Sequence, residues 1–135
     1  MYRILQADKL SANIYRMVVE APRVATRCLP GQFLIAKSDE EGERIPLTIC
    51  DYDREAGTVT IVFQPVGAAT TKMAELKTGD SFMDFVGPLG RPSDLVDEPI
   101  EELKKKKILF IAGGVGTAPV YPQVKWLHEQ GVQAD

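Results

Sequence analysis

Residues Lys104–Gly131 read KKKKILFIAGGVGTAPVYPQVKWLHEQG. The apolar run KILFIAGG lacks alternation, the pattern of a strand covered on both faces in a parallel sheet. It enters a glycine turn at Gly113, Gly114, Val115 and Gly116. TAPVYPQVKWLHEQG then predicts a helix closed by Gly131, with Pro119 and Pro122 in its first turns, where a missing amide donor costs least. Strand, glycine turn and helix in that order form the setting of a phosphate-binding turn. The glycines let the main chain come close to a ligand. The helix start offers free N–H groups and a positive dipole end to a pyrophosphate, and the Thr117 hydroxyl stands beside them. Gly114-x-Gly116 fits the first half of G-x-G-x-x-G, and Pro119 occupies the place of the third glycine. A glycine turn that only packs strand against helix remains the alternative.

VQAD, after Gly131, reads as the start of a further strand. A single strand-and-helix unit does not bury its own strand, because a parallel strand needs neighbours on both sides and helices on both faces. The expectation is therefore an N-terminal piece of a longer protein, with a doubly wound nucleotide domain continued by ~100 or more further residues.

Upstream, residues 1–97 carry a different pattern. YRILQADKL, NIYRMVVEAP, QFLIAK, IPLTICDYD, TVTIVFQPV and DSFMDFVGPLG are short runs rich in β-branched and aromatic residues, separated by turn signals such as Pro30-Gly31 and REAG. Six such strands predict a small antiparallel barrel. One helix interrupts them at AATTKMAELKTG, with Thr70 or Thr71 near its start and Gly79 after its end. Residues 98–107 form a polar connector, and residues 108–135 begin the nucleotide unit.

The chain has 135 residues, 26% charged and 44% hydrophobic, with a net charge of -3, which argues against a nucleic-acid binder with its basic face. Its basic cluster, Lys104–Lys107, follows Glu98, Glu101 and Glu102 and reads as a solvated, ion-paired helix end. No apolar run reaches the ~20 residues of a membrane span, and the N-terminus lacks a signal peptide's apolar segment, so a cytoplasmic location is expected. Cys28 and Cys50 are the only cysteines and read as unpaired thiols in a packing role. Asp51 and Asp53 read as turn caps, and Trp126 and Leu127 as core.

A barrel followed by a nucleotide unit resembles the ferredoxin–NADP reductase superfamily. GGVGTAP is similar to its G-G-x-G-x-x-P signature, with the proline at Pro119. RIPLTICDYD and FQPVGAATTKMAELKTGDSFMDFVGPLGRP resemble the FAD-binding electron-transfer subunits of dihydroorotate dehydrogenase, NADH-dependent ferredoxin–NADP oxidoreductase, sulfide dehydrogenase and hydrogenase. The resemblance covers essentially the whole chain. It implies a mainly β fold: a six-stranded Greek-key FAD barrel, then the first β-α unit of a Rossmann-like NAD(P) domain.

The resemblance also assigns sites. The family tetrad R-P-[LI]-[ST] corresponds to Ile45-Pro46-Leu47-Thr48. Arg44 stands one residue before the expected arginine, and a one-residue shift on a strand turns a side chain to the other face. Thr48 would hydrogen-bond flavin N5, Pro46 and Leu47 would lie against the ring, and Arg44 is the candidate for the pyrophosphate. Val62, Phe63 and Gln64 would flank the adenosine and ribityl part. Gly67, Ala69, Thr70 and Thr71 would hold the FAD pyrophosphate, unless they form a plain helix cap. Gly113, Gly114, Val115, Gly116, Thr117 and Pro119 would take NAD(P). The implied activity is FAD-dependent transfer of electrons from NAD(P)H to an iron–sulfur or catalytic partner subunit of a hetero-oligomer. The relatives' [2Fe–2S] cysteines have no counterpart here, so no metal ligand is assigned to this chain, and the piece alone is expected to be inactive. A non-catalytic flavin-binding module and an assembly subunit are the other readings.

Overall fold

The structure, a computed structural model, describes residues 1–135. β1 (Tyr2–Ser11) and β2 (Ile14–Glu20) form an antiparallel hairpin. β2 next pairs with β5 (Thr58–Phe63), β5 with β4 (Ile45–Asp53), and β4 with β3 (Phe33–Lys37). β3 pairs with β7 (Asp84–Leu89), while β6 (Ser81–Phe82) pairs with β1. The resulting order is β6-β1-β2-β5-β4-β3-β7, all antiparallel, with the crossing of a Greek key between β2 and β3. Only Met83 separates β6 from β7, so the two edges of the sheet belong to one stretch of chain and the sheet rolls into a nearly closed barrel. The six expected strands are thus seven. DSFMDFVGPLG changes partner from β1 to β3, and the bend this requires falls at Met83, whose N–H donates to the Lys37 carbonyl at 2.9 Å.

Strict alternation fills the interior. In β5, Val59, Ile61 and Phe63 point inward and Thr58, Thr60 and Val62 outward. Ile4, Met17, Val19, Leu34, Ala36 and Ile49 join them in the barrel core. Each large aliphatic side chain fully removed from water contributes about 1.5–3 kcal/mol. Two helices plug the ends. α1 (Pro22–Arg27) was not anticipated; its signal is Pro22 at the first helical position, and it buries Val24 and Ala25. α2 (Ala68–Ala74) inserts Met73. It starts at Ala68 as expected, with Gly67 as the N-cap residue and Thr70 inside the first turn, but ends at Ala74, well before Gly79.

Beyond Leu89 the chain passes a 3-10 turn at Asp94–Asp97 and α3 (Ile100–Lys104). The lysine cluster is ion-paired as expected: Lys104 with Glu101, Lys105 with Glu102 and Lys106 with Glu98. KILFIAGG does not form the expected buried strand. Ile108 and Phe110 pack on a small cluster of Leu103, Leu127 and Val132, but Leu109 and Ile111 are 69% and 86% exposed. Its sheet-like pairing is confined to two main-chain bonds: Phe110 N–H to the Asp135 carbonyl at 2.6 Å, and Asp135 N–H to the Ile108 carbonyl at 2.8 Å. These two bonds bracket Leu109 in the pattern of parallel pairing, and two bonds do not stabilise a strand. After a 3-10 turn at Gly114–Gly116, α4 (Thr117–Glu129) runs along β4 and ends before Gly131, whose φ is 76°.

Candidate functional site: a groove between barrel and glycine turn

The sequence-distant candidates meet in one groove of about 660 Å³, within the size range of small-molecule sites. β4 contributes Pro46, Leu47 and Thr48; the end of β5 contributes Val62, Phe63 and Gln64. The start of α2 contributes Gly67, Ala69 and Thr70, and the far wall is Val115, Gly116 and Pro119. Glu43, Ile45, Val66, Ala68 and Ala118 also line it and were missed. Glu43 precedes a recognised motif, and the other four lie inside the motif stretches, between residues that were assigned.

Leu47 is only 9% exposed, so most of it lies in the barrel core and only an edge reaches the groove. Pro46 and Thr48, one residue to either side, point outward by the strand's period of two. Arg44 does not line the groove. It stands just before β4 begins at Ile45, and its Nη2 donates to Asp84 Oδ2 at 2.8 Å. Thr71, Gly113, Gly114 and Thr117 also lie outside the lining of this groove. Gly114 and Thr117 face a second cavity of about 660 Å³ between α4 and the outer wall of the barrel, shared with Arg16, Cys50 and Asp51.

Glu43 is the single charged residue in the groove, and no lysine or arginine lines it. The Thr70 hydroxyl is already engaged: Oγ accepts from the N–H groups of Val66 at 2.9 Å and Gly67 at 3.1 Å and donates to the Gly67 carbonyl at 3.2 Å. That cap leaves the N–H groups of the first turn without helical partners. Packing gives no reason for the glycines here. A Cβ at Gly67, Gly113, Gly114 or Gly116 would meet nothing within 4 Å, whereas one at Gly31 would come within 2.6 Å of the Ser93 nitrogen. Gly67 and Gly116 have φ of -153° and -63°, conformations open to any residue, so what the missing side chain preserves is space in the groove.

No nucleophile is poised nearby. Burial, with the Asp51 charge adding to it, pushes the Cys50 thiol up to about 11, and burial does the same for Cys28, so both stay protonated at neutral pH. The two thiols are unpaired. Nowhere do three or more His, Cys, Asp or Glu side chains gather as a metal site. No helix is long and apolar enough to cross a membrane.

No protein-family profile matches the chain. It is 62% identical over its whole length to an uncharacterized protein encoded in the adh 3' region of Clostridium beijerinckii, of which it covers 46%. It is 36% identical over 95% of its length to a dihydroorotate dehydrogenase B (NAD(+)) electron transfer subunit homolog of Thermotoga maritima, covering 43% of that protein. The electron transfer subunit of dihydroorotate dehydrogenase B from Listeria innocua is 34% identical over 97% of the chain, which covers 50% of it. Among solved structures, the NADH-dependent reduced ferredoxin–NADP oxidoreductase superposes with a TM-score of 0.87 at 35% identity, over 99% of this chain and 46% of that one. Phthalate dioxygenase reductase shares the fold, with a TM-score of 0.70 at 20% identity over 98% of this chain and 40% of the other.

The chain shares the barrel fold of the ferredoxin–NADP reductase-like proteins. Among them, the sequence groups with electron transfer subunits of the dihydroorotate dehydrogenase B and NADH-dependent ferredoxin–NADP oxidoreductase type. The chain spans about half the length of the curated relatives it matches.

Proposed function

We propose that the groove seats FAD, that the glycine turn takes NAD(P), and that the whole protein is an electron-transfer subunit working between NAD(P)H and an iron–sulfur or catalytic partner. The observation that carries this reading is the convergence of three separate segments, Pro46–Thr48, Gly67–Thr70 and Val115–Gly116, on one groove whose glycines have no packing role. In this reading Thr48 presents its hydroxyl and main chain to flavin N5, with Pro46 beside it and the edge of Leu47 below. Val62, Phe63 and Gln64 flank the ribityl and adenosine portion. The N–H groups at the start of α2 and of the glycine turn face the two pyrophosphates. Bound there, a flavin would supply the redox chemistry, hydride uptake from NAD(P)H and one-electron delivery to the partner. The protein's share is to orient, to exclude water and to leave no cationic side chain competing for the ring.

The apolar, cation-free lining is a departure from side-chain recognition of a diphosphate, so FAD is expected to bind this chain weakly. Residues 1–97 form the flavin part and residues 108–135 the start of the nucleotide part. The [2Fe–2S] ligands lie outside this sequence, and the chain alone does not turn over. A cytoplasmic site of action follows from the soluble cofactor it would oxidise.

The test is an absorption titration with FAD on the native chain and on Gly116→Val, whose Cβ meets nothing within 4 Å on the groove wall. The native chain should give a bound-flavin spectrum, and the variant should bind about tenfold more weakly, the loss of about 1.4 kcal/mol, with an unchanged melting temperature. Uptake by the full-length protein without bleaching by NADH or NADPH would leave a binding module. No uptake at all would leave an assembly subunit.

A further inference from the structure

α4 is tied to the barrel by a polar clamp that the cofactor reading leaves unused. Lys125 Nζ, on α4, donates to Asp51 Oδ1 on β4 at 2.6 Å and to the Tyr52 carbonyl at 3.2 Å, and stands 5.4 Å from the centre of the Tyr52 ring. Asp51 is held for this contact, because the same Oδ1 accepts from the Tyr52 N–H at 2.8 Å. Tyr52 is held from its other neighbour: the Arg54 guanidinium lies 4.7 Å from its ring and donates to the carbonyls of Ala25, Thr26 and Cys28 at 2.7–2.9 Å. Asp51 was expected to cap a turn. That task belongs to Asp53, whose Oδ1 accepts from Glu55 and Ala56.

The ends of the clamp sit on the two elements that build the groove. Asp51 follows Thr48 by three residues on the same strand, with a bulge between Ile49 and Asp51 that brings both Cys50 and Asp51 to the side facing α4. Lys125 follows Thr117 by eight residues, about 12 Å along the helix axis. A second tie holds the front of α4: Gln123 Nε2 donates to the Pro119 carbonyl at 3.1 Å, and Ser93 Oγ donates to Gln123 Oε1 at 2.9 Å. Lys125 and Asp51 side chains are each 31% exposed, so the pair is only partly screened by water. Burial works against the Lys125 charge, but the hydrogen bond and charge of Asp51 outweigh it, with Glu129 and Tyr121 adding to the pull, and the ammonium is held above its ordinary value.

We infer that Lys125 and Asp51 are positioning residues: their clamp sets where α4 stands over β4, and so how far the Val115–Gly116 wall lies from Thr48 across the groove. The inference rests on the cofactor reading above. If two redox rings meet between these walls, a misplacement of the order of 1 Å slows transfer up to about a hundredfold while leaving each ring's own contacts in place. Affinity and rate should therefore separate.

The experiment compares native, Lys125→Met, Lys125→Arg and Asp51→Asn forms of the full-length, FAD-loaded protein. Lys125→Met should slow flavin bleaching by NAD(P)H in a single turnover by about 10–100-fold, with FAD content and NAD(P)H affinity within about twofold of native. Lys125→Arg, which keeps the charge, should recover most of the rate. The double variant Lys125→Met with Asp51→Asn should be no slower than the slower single one, because the two act as one unit. Without any cofactor, amide exchange across Thr117–Glu129 should rise about tenfold in Lys125→Met, with β2 and β5 unchanged. An unchanged rate, or unchanged exchange in α4, overturns the clamp's role while the groove stands. Equal losses of affinity and rate also overturn it, since they mark a binding contact or general unfolding. A native protein that takes up no FAD removes the cofactor reading and the clamp's role together.

Discussion

The barrel and the glycine-turn unit solve the same problem, hiding apolar side chains, with different success. In the barrel every inward position of β2, β3, β4 and β5 faces another strand of the same closed sheet, and one cluster of 17 buried residues results. In the part that follows, the packed cluster shrinks to Leu103, Leu127 and Val132, and alternate residues of its apolar run face outward. Closure makes the difference: a sheet whose edges meet supplies its own neighbours, whereas an isolated parallel segment depends on others. The glycines divide the same way. Several of the barrel's are hemmed in by protein, as at Gly31, Gly87 and Gly90, whereas those of the turn, like Gly67 at the groove, open onto space. Rigid wall and open turn together make the groove.

The largest effect expected from this contrast comes from one substitution made twice. Ile61→Ala, in the barrel core at 0% exposure, should cost about 2–5 kcal/mol in chemical denaturation. Ile111→Ala, at 86% exposure, should stay within about 0.5 kcal/mol. Similar losses at both sites would mean that the two regions are equally packed, and the distinction would be lost.

A smaller separation is expected between glycines. Gly31 has φ of 93°, and a Cβ there would stand 2.6 Å from the Ser93 nitrogen, so Gly31→Ala should cost at least about 1–3 kcal/mol. Gly67→Ala, extended and unobstructed, should leave the melting temperature within a degree or so, as a harmless change does. If Gly67→Ala proved the more damaging, the absence of a packing role for that glycine would be refuted.

The smallest effect concerns pH. Cys28 and Cys50 are raised from 9.0 to about 11 by burial. In the unfolded chain the thiols lose their protons first, so the folded state binds more protons between about pH 9 and about pH 11, and stability falls as pH rises through that window. Melting temperatures followed across it should decline, and Cys50→Ser should flatten part of the slope. A slope that Cys50→Ser leaves untouched would show that the Cys50 thiol is not the group responsible.

Much of the fold was legible because its causes are local. Period-two alternation marked TVTIVF as a half-buried strand, Pro30-Gly31 and REAG marked turns, and GGVGTAP marked a glycine turn at a helix start through residues adjacent in sequence. α1 escaped notice because six residues between two strands carry little periodicity beyond Pro22. The break at Met83 escaped because it arises from a change of strand partner. Arg44 was placed among the site candidates by nearness in sequence, and it stands before the strand begins, ion-paired with Asp84 instead.

From the amino-acid order alone came the barrel's alternating strands, the glycine turn at a helix start and the superfamily they resemble, since each depends on contacts between near neighbours along the chain. The tertiary structure alone decided that Thr48, Gly67 and Gly116 share one groove, that Asp51 faces Lys125 across 74 residues of sequence, and that Leu109 and Ile111 lie uncovered. Those outcomes depend on how a closed sheet brings distant segments together, and no local pattern encodes that distance.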